Sequence, residues 1–272
     1  MKTVIVVIST YNGAKYIERQ LDSIFEQVGV DVQLEQAQHF QPEQLNGRWG
    51  KLIPLQTLES DSTLFRSMWR TIERESNKGV WTYLPYDEFV FQVQLEGALK
   101  SNFALKHALH YLVQVGHQAI GWVGLINIRE KDQVAEIGNL YFSDQLRQTT
   151  AATEVIYLLL EECFSKGFRK IEWRCDDLNE ASINATVRLG FLYEGTLRQD
   201  RIVKGKNRNT ACFSMLDEEW KRISFAFQDW LKQDNFTVNR QQKTRLEEFM
   251  KQYPITGRLE KEIKERLMAT VS

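Results

Sequence analysis

One basic residue and five uncharged ones, Arg147, Gln148, Thr149, Thr150, Ala151 and Ala152, lead from a polar turn into the apolar run "TEVIYLLLEECF". The spacing of apolar residues in that run predicts a long helix. A helix N-terminus carries unpaired backbone N–H groups and about half a unit of positive charge. Here the side chains are small, and no acid among residues 147–152 competes for those groups. Such an arrangement suits a bridging diphosphate, which needs many N–H donors. A plainer reading fits the same residues: Thr149 caps the helix and Arg147 is a solvated surface cation.

The rest of the composition narrows the chemistry. The chain has 272 residues, 43% hydrophobic and 11% aromatic with seven tryptophans, so a globular core is easily built. A net charge of −1 and a pI near 6.5 argue against nucleic acid as a partner, because such proteins are usually basic over a whole face. Cys163, Cys175 and Cys212 are scattered, with no C-x-x-C pair, and read as free thiols in a reducing compartment, the cytoplasm. His39, His107, His110 and His117 lack metal-ligand spacing. His107 and His110, three apart in what reads as a strand, point to opposite faces, so no metal is expected. The apolar run near the N-terminus, residues 4–8, is shorter than the roughly 7–15 residues of a signal peptide or the about 20 of a membrane helix. No membrane partner is expected.

The elements that must position the helix start can be read from periodicity and turn signals. Residues 3–8 suit a buried strand, Asn12–Gly13 a turn, and Ile17, Leu21, Ile24 and Phe25 a helix. The polar, glutamine-rich stretch 28–42 reads as a junction. "GRWGKLIPL" follows as a strand, and Leu64, Met68 and Ile72 mark a helix face. "WTYLPYDEF" is an aromatic loop, after which Asp87 or Glu88 is expected to open a helix through Lys100. Strands are predicted at "ALKHALHYLVQ", "QAIGWVGLINI", "QVAEIGNLYF" and, beyond the long helix, "KIEWRC". A helix over 180–189 ends at Gly190, and a hairpin turning at 205–209 closes the sheet. Strands in runs rather than strict alternation with helices imply an α+β fold. After Trp220 the chain reads as charged helix, divided at Pro254, with i,i+4 ion pairs in "EKEIKERL".

Two resemblances attach to these stretches. The opening strand, "TYNG" turn and helix resemble the start of family-2 glycosyltransferases over residues 1–27, without the aspartate pair such an enzyme needs; a sugar transferase is the reading they would support. The pattern R-x-x-T-x-A after "EIGNLYF" resembles the GCN5-related N-acetyltransferase (GNAT) family, whose diphosphate loop lies between its fourth strand and third helix. Thr150 stands where that loop usually has glycine. "CDDLNEASINATVRLGFLYEG" is similar to the family's N-x-x-S…LGF segment, and "RIVKGKNRNTACFSML", "GKLIPL" and "WTYLPY" to parts of its ribosomal-protein-alanine N-acetyltransferase subgroup.

The resemblance implies a mixed, mostly antiparallel seven-stranded sheet flanked by helices. Residues 1–28 would be an appended βα segment, 29–234 the acetyltransferase domain and 235–272 a helical tail. It implies acetyl-CoA as co-substrate and a primary amine, small molecule or peptide N-terminus, as acceptor. Leu140, Tyr141 and Phe142 would pair with the pantetheine arm across a splay between strands, residues 147–152 would hold the diphosphate, and Asn179 would bond the pantetheine amide.

Acetyl transfer needs a base for the amine proton and a donor for the developing oxyanion. Glu136, a carboxylate in an otherwise apolar strand, is the candidate base; on a solvated sheet face it would be merely structural. A backbone N–H near Leu140 or Tyr141 is the candidate oxyanion donor. Ser182 would lie near the thiol end. The tyrosine that serves many relatives as general acid is replaced by Thr186, which leaves that role unassigned; Ser182, the second catalytic candidate, a water or nothing could fill it. Trp81, Tyr83 and Tyr86 are candidates for an acceptor pocket, or for core packing. Arg198, Arg201, Lys204, Lys206 and Arg208 could attract a ribose phosphate or an acidic acceptor, or form a solvated hairpin. A non-catalytic acyl-CoA-binding module is the alternative to an enzyme, and a homodimer through the tail helices is left open.

Overall fold

A computed structural model describes residues 41–58 and 63–253. The expected strand and helix within residues 1–27, most of the glutamine-rich junction, His39, and the tail from Pro254 with its ion pairs lie outside the described residues.

Among the described residues eight strands form one sheet: β1 (Leu45–Asn46), β2 (Lys51–Pro54), β3 (Leu109–Val115), β4 (Gln118–Arg129), β5 (Val134–Phe142), β6 (Lys170–Asp176), β7 (Leu192–Val203) and β8 (Lys206–Leu216). Their order is β1-β2-β3-β4-β5-β6-β8-β7. Every neighbouring pair is antiparallel except β5 with β6. The expected count of seven misses β1, a pair of residues facing Lys51–Leu52 across the turn at Gly47–Gly50. A strand that short displays no alternation to read. The helices are α1 (Thr63–Glu73), α2 (Gln92–Lys100), α3 (Thr150–Ser165), α4 (Glu180–Arg188), α5 (Asp217–Trp230) and α6 (Leu246–Gln252).

Helix α3 is apolar on most sides because it is enclosed on most sides. Val155, Leu159, Leu160 and Cys163 are fully buried against Leu125, Ala135 and Ile137 of the sheet and Phe227 of α5. The same core continues through Phe236 and Leu246, so residues 217–252 pack as part of the sheet's own core. On the opposite face, Met68 and Ile72 of α1 and Leu95 and Leu99 of α2 cover Leu112, Trp122 and Tyr141 of β3–β5. Beyond β5 that face turns polar, with Glu172 and Arg174 on β6 and Ser214 on β8.

Two expected boundaries move. Helix α2 starts at Gln92, not at Asp87 or Glu88, because those acids are engaged elsewhere, Asp87 by Lys204 and Glu88 by Lys78. Gln94 caps instead, its Oε1 accepting the N–H groups of Val90 and Phe91 at 2.8 and 3.0 Å. The hairpin turns earlier than 205–209, at Lys204 and Gly205, whose φ values of +49° and +74° are what a two-residue turn demands of both its positions.

One feature of β5 decides the site. Its parallel pairing with β6 runs only over Val134–Lys170, Ala135–Ile171 and Glu136–Glu172. β5 then continues to Phe142 with no strand on that side, while β6 stays paired to β8 through Asp176. The sheet is thereby split by a wedge that opens toward the start of α3.

Candidate active site

The turn between β5 and α3 is built to leave N–H groups bare. Ser143 anchors it, its Oγ donating to Ile120 O at 2.6 Å and its carbonyl accepting the N–H groups of Leu146 and Arg147, each at 2.9 Å. Leu146 is fully buried. Gln148 takes φ +59°, which turns the chain into the helix. Thr149 does cap α3: its Oγ1 accepts the Ala152 N–H at 3.2 Å and donates to Leu146 O at 2.7 Å. That cap serves one amide only. The N–H groups of Gln148, Thr150 and Ala151 have no protein partner among the described residues, and the first turn carries no acid. The small-residue start thus presents donors and positive potential to an anion, which fits a diphosphate.

Arg147 is not the solvated cation of the plainer reading. Its Nη2 pairs with Asp144 and lies 3.5 Å from Oε1 of Glu75, whose side chain is wholly buried. Glu75 also accepts the Asp144 N–H and the Asn77 N–H, each at 3.0 Å. Arg147 therefore braces the turn against the segment after α1. Glu75 was missed by sequence reading, since "IERES" looks like a solvated charge run.

Leu140, Tyr141 and Phe142 line the open edge of β5. The Tyr141 side chain points away from the wedge edge into the second core, stacked 4.4 Å from Trp122 and 4.8 Å from Trp81. Across the wedge, Asn179 caps α4, its Oδ1 accepting the Ser182 N–H at 3.1 Å. Its side-chain NH2 has no partner among the described residues. The Ser182 hydroxyl accepts the Trp173 indole N–H at 3.0 Å, a packing duty. Thr186 is fully buried and donates to Ile183 O at 2.7 Å, so it has no proton to offer a leaving group.

Glu136 stands at the vertex of the wedge, in the last β5–β6 pair, on the face away from α3. It is 5% exposed and accepts from Asn127 Nδ2 at 2.7 Å, with Arg174 Nε 3.8 Å away. Burial raises its pKa above the ordinary carboxylate value; the Asn127 bond and Arg174 oppose that shift. Neighbouring Glu172 is neutralised by Arg129 at 2.9 Å and Arg174 at 3.0 Å.

The aromatic loop divides. Trp81 is buried core. The Tyr83 hydroxyl donates to Leu178 O at 2.8 Å, reaching from the β5 side of the wedge to the loop before α4. Tyr86 donates to Asn139 Oδ1 at 2.6 Å. Of the basic hairpin, Lys204 donates to Trp81 O at 2.7 Å, and Arg201 pairs with Asp200 at 2.9 Å. His107 precedes β3 at φ +50°, so it is not on the strand; His110 is on β3 and fully buried. No group of metal-ligating side chains occurs among the described residues, and none of their helices is long and apolar enough to cross a membrane.

Comparisons with known proteins point the same way. A profile described as the acetyltransferase (GNAT) family matches residues 66–191, which run from α1 to the end of α4 and through Gly190. The chain is similar to the crystal structure of a GCN5-related N-acetyltransferase from Brucella melitensis, at 31% identity, covering 78% of this chain and 96% of that one, with a TM-score of 0.73. It is similar to a probable acetyltransferase (GNAT family) from Chromobacterium violaceum ATCC 12472, at 35% identity over 69% and 93% of the two chains, with a TM-score of 0.63. RimL, a ribosomal L7/L12 alpha-N-protein acetyltransferase in complex with coenzyme A, shares the fold at 16% identity, 65% and 99% coverage and a TM-score of 0.55. No curated protein matches the sequence. With its profile match, its close structural relatives and its split sheet in agreement, the chain belongs to the GCN5-related N-acetyltransferase (GNAT) family of acetyltransferases.

Proposed function

We propose that the chain transfers an acetyl group from acetyl-CoA to a primary amine, on a small molecule or a protein N-terminus, by direct attack on the thioester. The observation that carries this is the shared location of two unpaired donor sets: the bare amides at the start of α3 and the open β5 edge of the wedge. The N–H groups of Gln148, Thr150 and Ala151 would hold the diphosphate. Leu140–Phe142 and the free NH2 of Asn179 would hold the pantetheine arm.

A backbone N–H at Leu140 or Tyr141 stabilises the oxyanion as the amine attacks. The C–S bond then breaks, the acetyl group stays on nitrogen, and Glu136 takes the ammonium proton, directly or through one water. Its buried, proton-favouring setting suits that role. With Thr186 turned inward, the thiolate takes its proton from water or from the Ser182 hydroxyl, which accepts from Trp173 and keeps its own O–H to give. Of the acceptor-side candidates, Tyr83 would flank an incoming amine, while Trp81, buried, and Tyr86, bonded to Asn139, would shape that side from behind. The fold shared with RimL favours a peptide N-terminus among acceptors, and a cytoplasmic setting goes with it.

Calorimetry with acetyl-CoA and a thiol-release screen over amines, amino acids and free-N-terminal peptides test the reading. Expected are saturable binding and release with one acceptor class. Binding without release across the panel supports the non-catalytic module, which the missing tyrosine acid favours; absence of binding defeats both.

A further inference from the structure

The strand that supplies the oxyanion donor is irregular at the decisive place. Trp122 pairs with Tyr141 and Gly124 with Gly138, so Asn139 and Leu140 together face Val123 alone. This is a β-bulge, a device that re-aims backbone groups. Asn139 takes φ +48°, a left-handed conformation that asparagine tolerates better than most residues. On the β6 side the strand has no partner here, and on the β4 side the ladder is interrupted. Main-chain pairing therefore does little to fix the direction of the Leu140 amide.

Side chains fix it instead. The Asn139 carboxamide is gripped at both ends: Oδ1 accepts from the Tyr86 hydroxyl at 2.6 Å, and Nδ2 donates to His110 Nε2 at 2.8 Å. The other ring nitrogen of His110 bonds Asn102 Oδ1, and Asn102 Nδ2 donates to Ala108 O at 2.6 Å. Burial lowers the His110 pKa to about 4, so at neutral pH the ring is uncharged, with Nε2 free to accept and Nδ1 carrying the proton. Phe103 closes the cluster, stacked 5.4 Å from Tyr86 and tilted against His110 at 4.7 Å. Gly124 makes room: a Cβ there would lie 2.7 Å from His110 Nε2. Four polar side chains, drawn from the aromatic loop, the turn before β3, β3 and β5, thus converge on one bulge.

We infer that Asn139, clamped between Tyr86 and His110, is the positioning residue that aims the β5 backbone N–H at the thioester carbonyl. It touches neither coenzyme nor amine; it acts through the peptide unit that follows it. The inference rests on the proposed acetyl transfer, because it names the thioester as the group being addressed. It also accounts for Tyr86, whose hydroxyl is directed at Asn139 rather than at a substrate.

The test uses the full chain and acetyl-CoA labelled with carbon-13 at the thioester carbonyl. Infrared difference spectra of the bound coenzyme report polarisation of that carbonyl. In the wild type the band is expected to move to lower frequency on binding. Asn139→Ala, and Tyr86→Phe, which keeps the ring in its stack, are expected to move it back toward the free value. Acetyl-CoA affinity, held by the diphosphate loop, stays unchanged, and kcat falls by about 10- to 100-fold, as misalignment of about an ångström can cause. Asn139→Gly, which keeps the left-handed backbone but loses the grip, should resemble the alanine variant. Folded variants with the wild-type band and kcat, or a wild-type band that does not move on binding, overturn the inference while leaving acetyl transfer standing. A wild type that does not bind acetyl-CoA overturns the proposed function and this inference with it.

Discussion

Arg147 and Glu75 are 72 residues apart in sequence, yet Nη2 of one lies 3.5 Å from Oε1 of the other, with the Glu75 side chain wholly buried. The cation at the start of α3 thus braces the turn between β5 and α3. Under the proposed function, the backbone amides there would keep their direction toward a diphosphate only while that brace persists.

Replacing Glu75 should therefore damage both folding and coenzyme binding. Glu75→Ala leaves the N–H groups of Asp144 and Asn77 without their acceptor and the Arg147 guanidinium with Asp144 alone. Loss of about 2–3 kcal/mol is expected from stranding such donors. Urea unfolding measures that loss. Calorimetry on the folded fraction should show weaker acetyl-CoA binding as well; unchanged affinity would mean the loop holds itself.

Thr150 offers a substitution whose two effects oppose one another. Thr150→Asp places a carboxylate in the first turn of α3, where the helix dipole favours it by ~0.3–1 kcal/mol. The same charge repels a diphosphate, so acetyl-CoA binding should weaken by about tenfold or more, or about 1.4 kcal/mol. A rise in thermal midpoint together with weaker binding is the expected pair of results. Equal or tighter binding would place the phosphates elsewhere.

Glu136 yields a pH signature. Its pKa is raised by burial, so the base form appears at higher pH than for an ordinary glutamate. The rate of thiol release should rise with pH through that raised pKa. Glu136→Gln should lower the rate by about 10²- to 10⁴-fold, the usual worth of a general base, and flatten the rising limb. Stability carries the same sign. The folded state favours the protonated carboxyl, so this group's contribution is greatest below the ordinary carboxylate range and is lost as pH rises through the raised value. The gap in urea midpoint between wild type and Glu136→Gln should shift in favour of the variant over that interval.

Glu154 provides a purely structural contrast. On α3, and 4% exposed, it accepts the N–H groups of Arg48, Trp49 and Gly50 at 2.8, 2.6 and 2.9 Å. Glu154→Ala should destabilise by about 2–4 kcal/mol, since those donors lose their acceptor. Gly47→Ala should do comparable damage, because a Cβ there would lie 2.3 Å from Glu154 Oε2. Chemical denaturation checks both; a neutral Glu154→Ala would show that water replaces the carboxylate.

Much of the scaffold was legible because it is local. Val155, Leu159 and Cys163 mark one face of α3, Gly190 at φ +91° closes α4, and the strands 109–115, 118–129 and 134–142 show long apolar runs. The small residues before α3 could be read as a bare helix start because the donors there belong to the backbone. The bulge was less legible. Gly138–Asn139 within an apolar strand is a signal of broken pairing, but the partners Tyr86, His110 and Asn102 come from other elements.

By itself the sequence determined the order and type of the main elements and the uncharged helix start, since those follow from periodicity, turn residues and the absence of acids within a few positions. Tertiary structure alone decided that β5 and β6 part after Glu136 and Glu172, that Arg147 is bound to Glu75, and that Glu136 is buried at the vertex. These depend on which distant segments meet. A side chain's burial and ion partners, and hence its proton affinity, are set by neighbours that no short window of sequence contains.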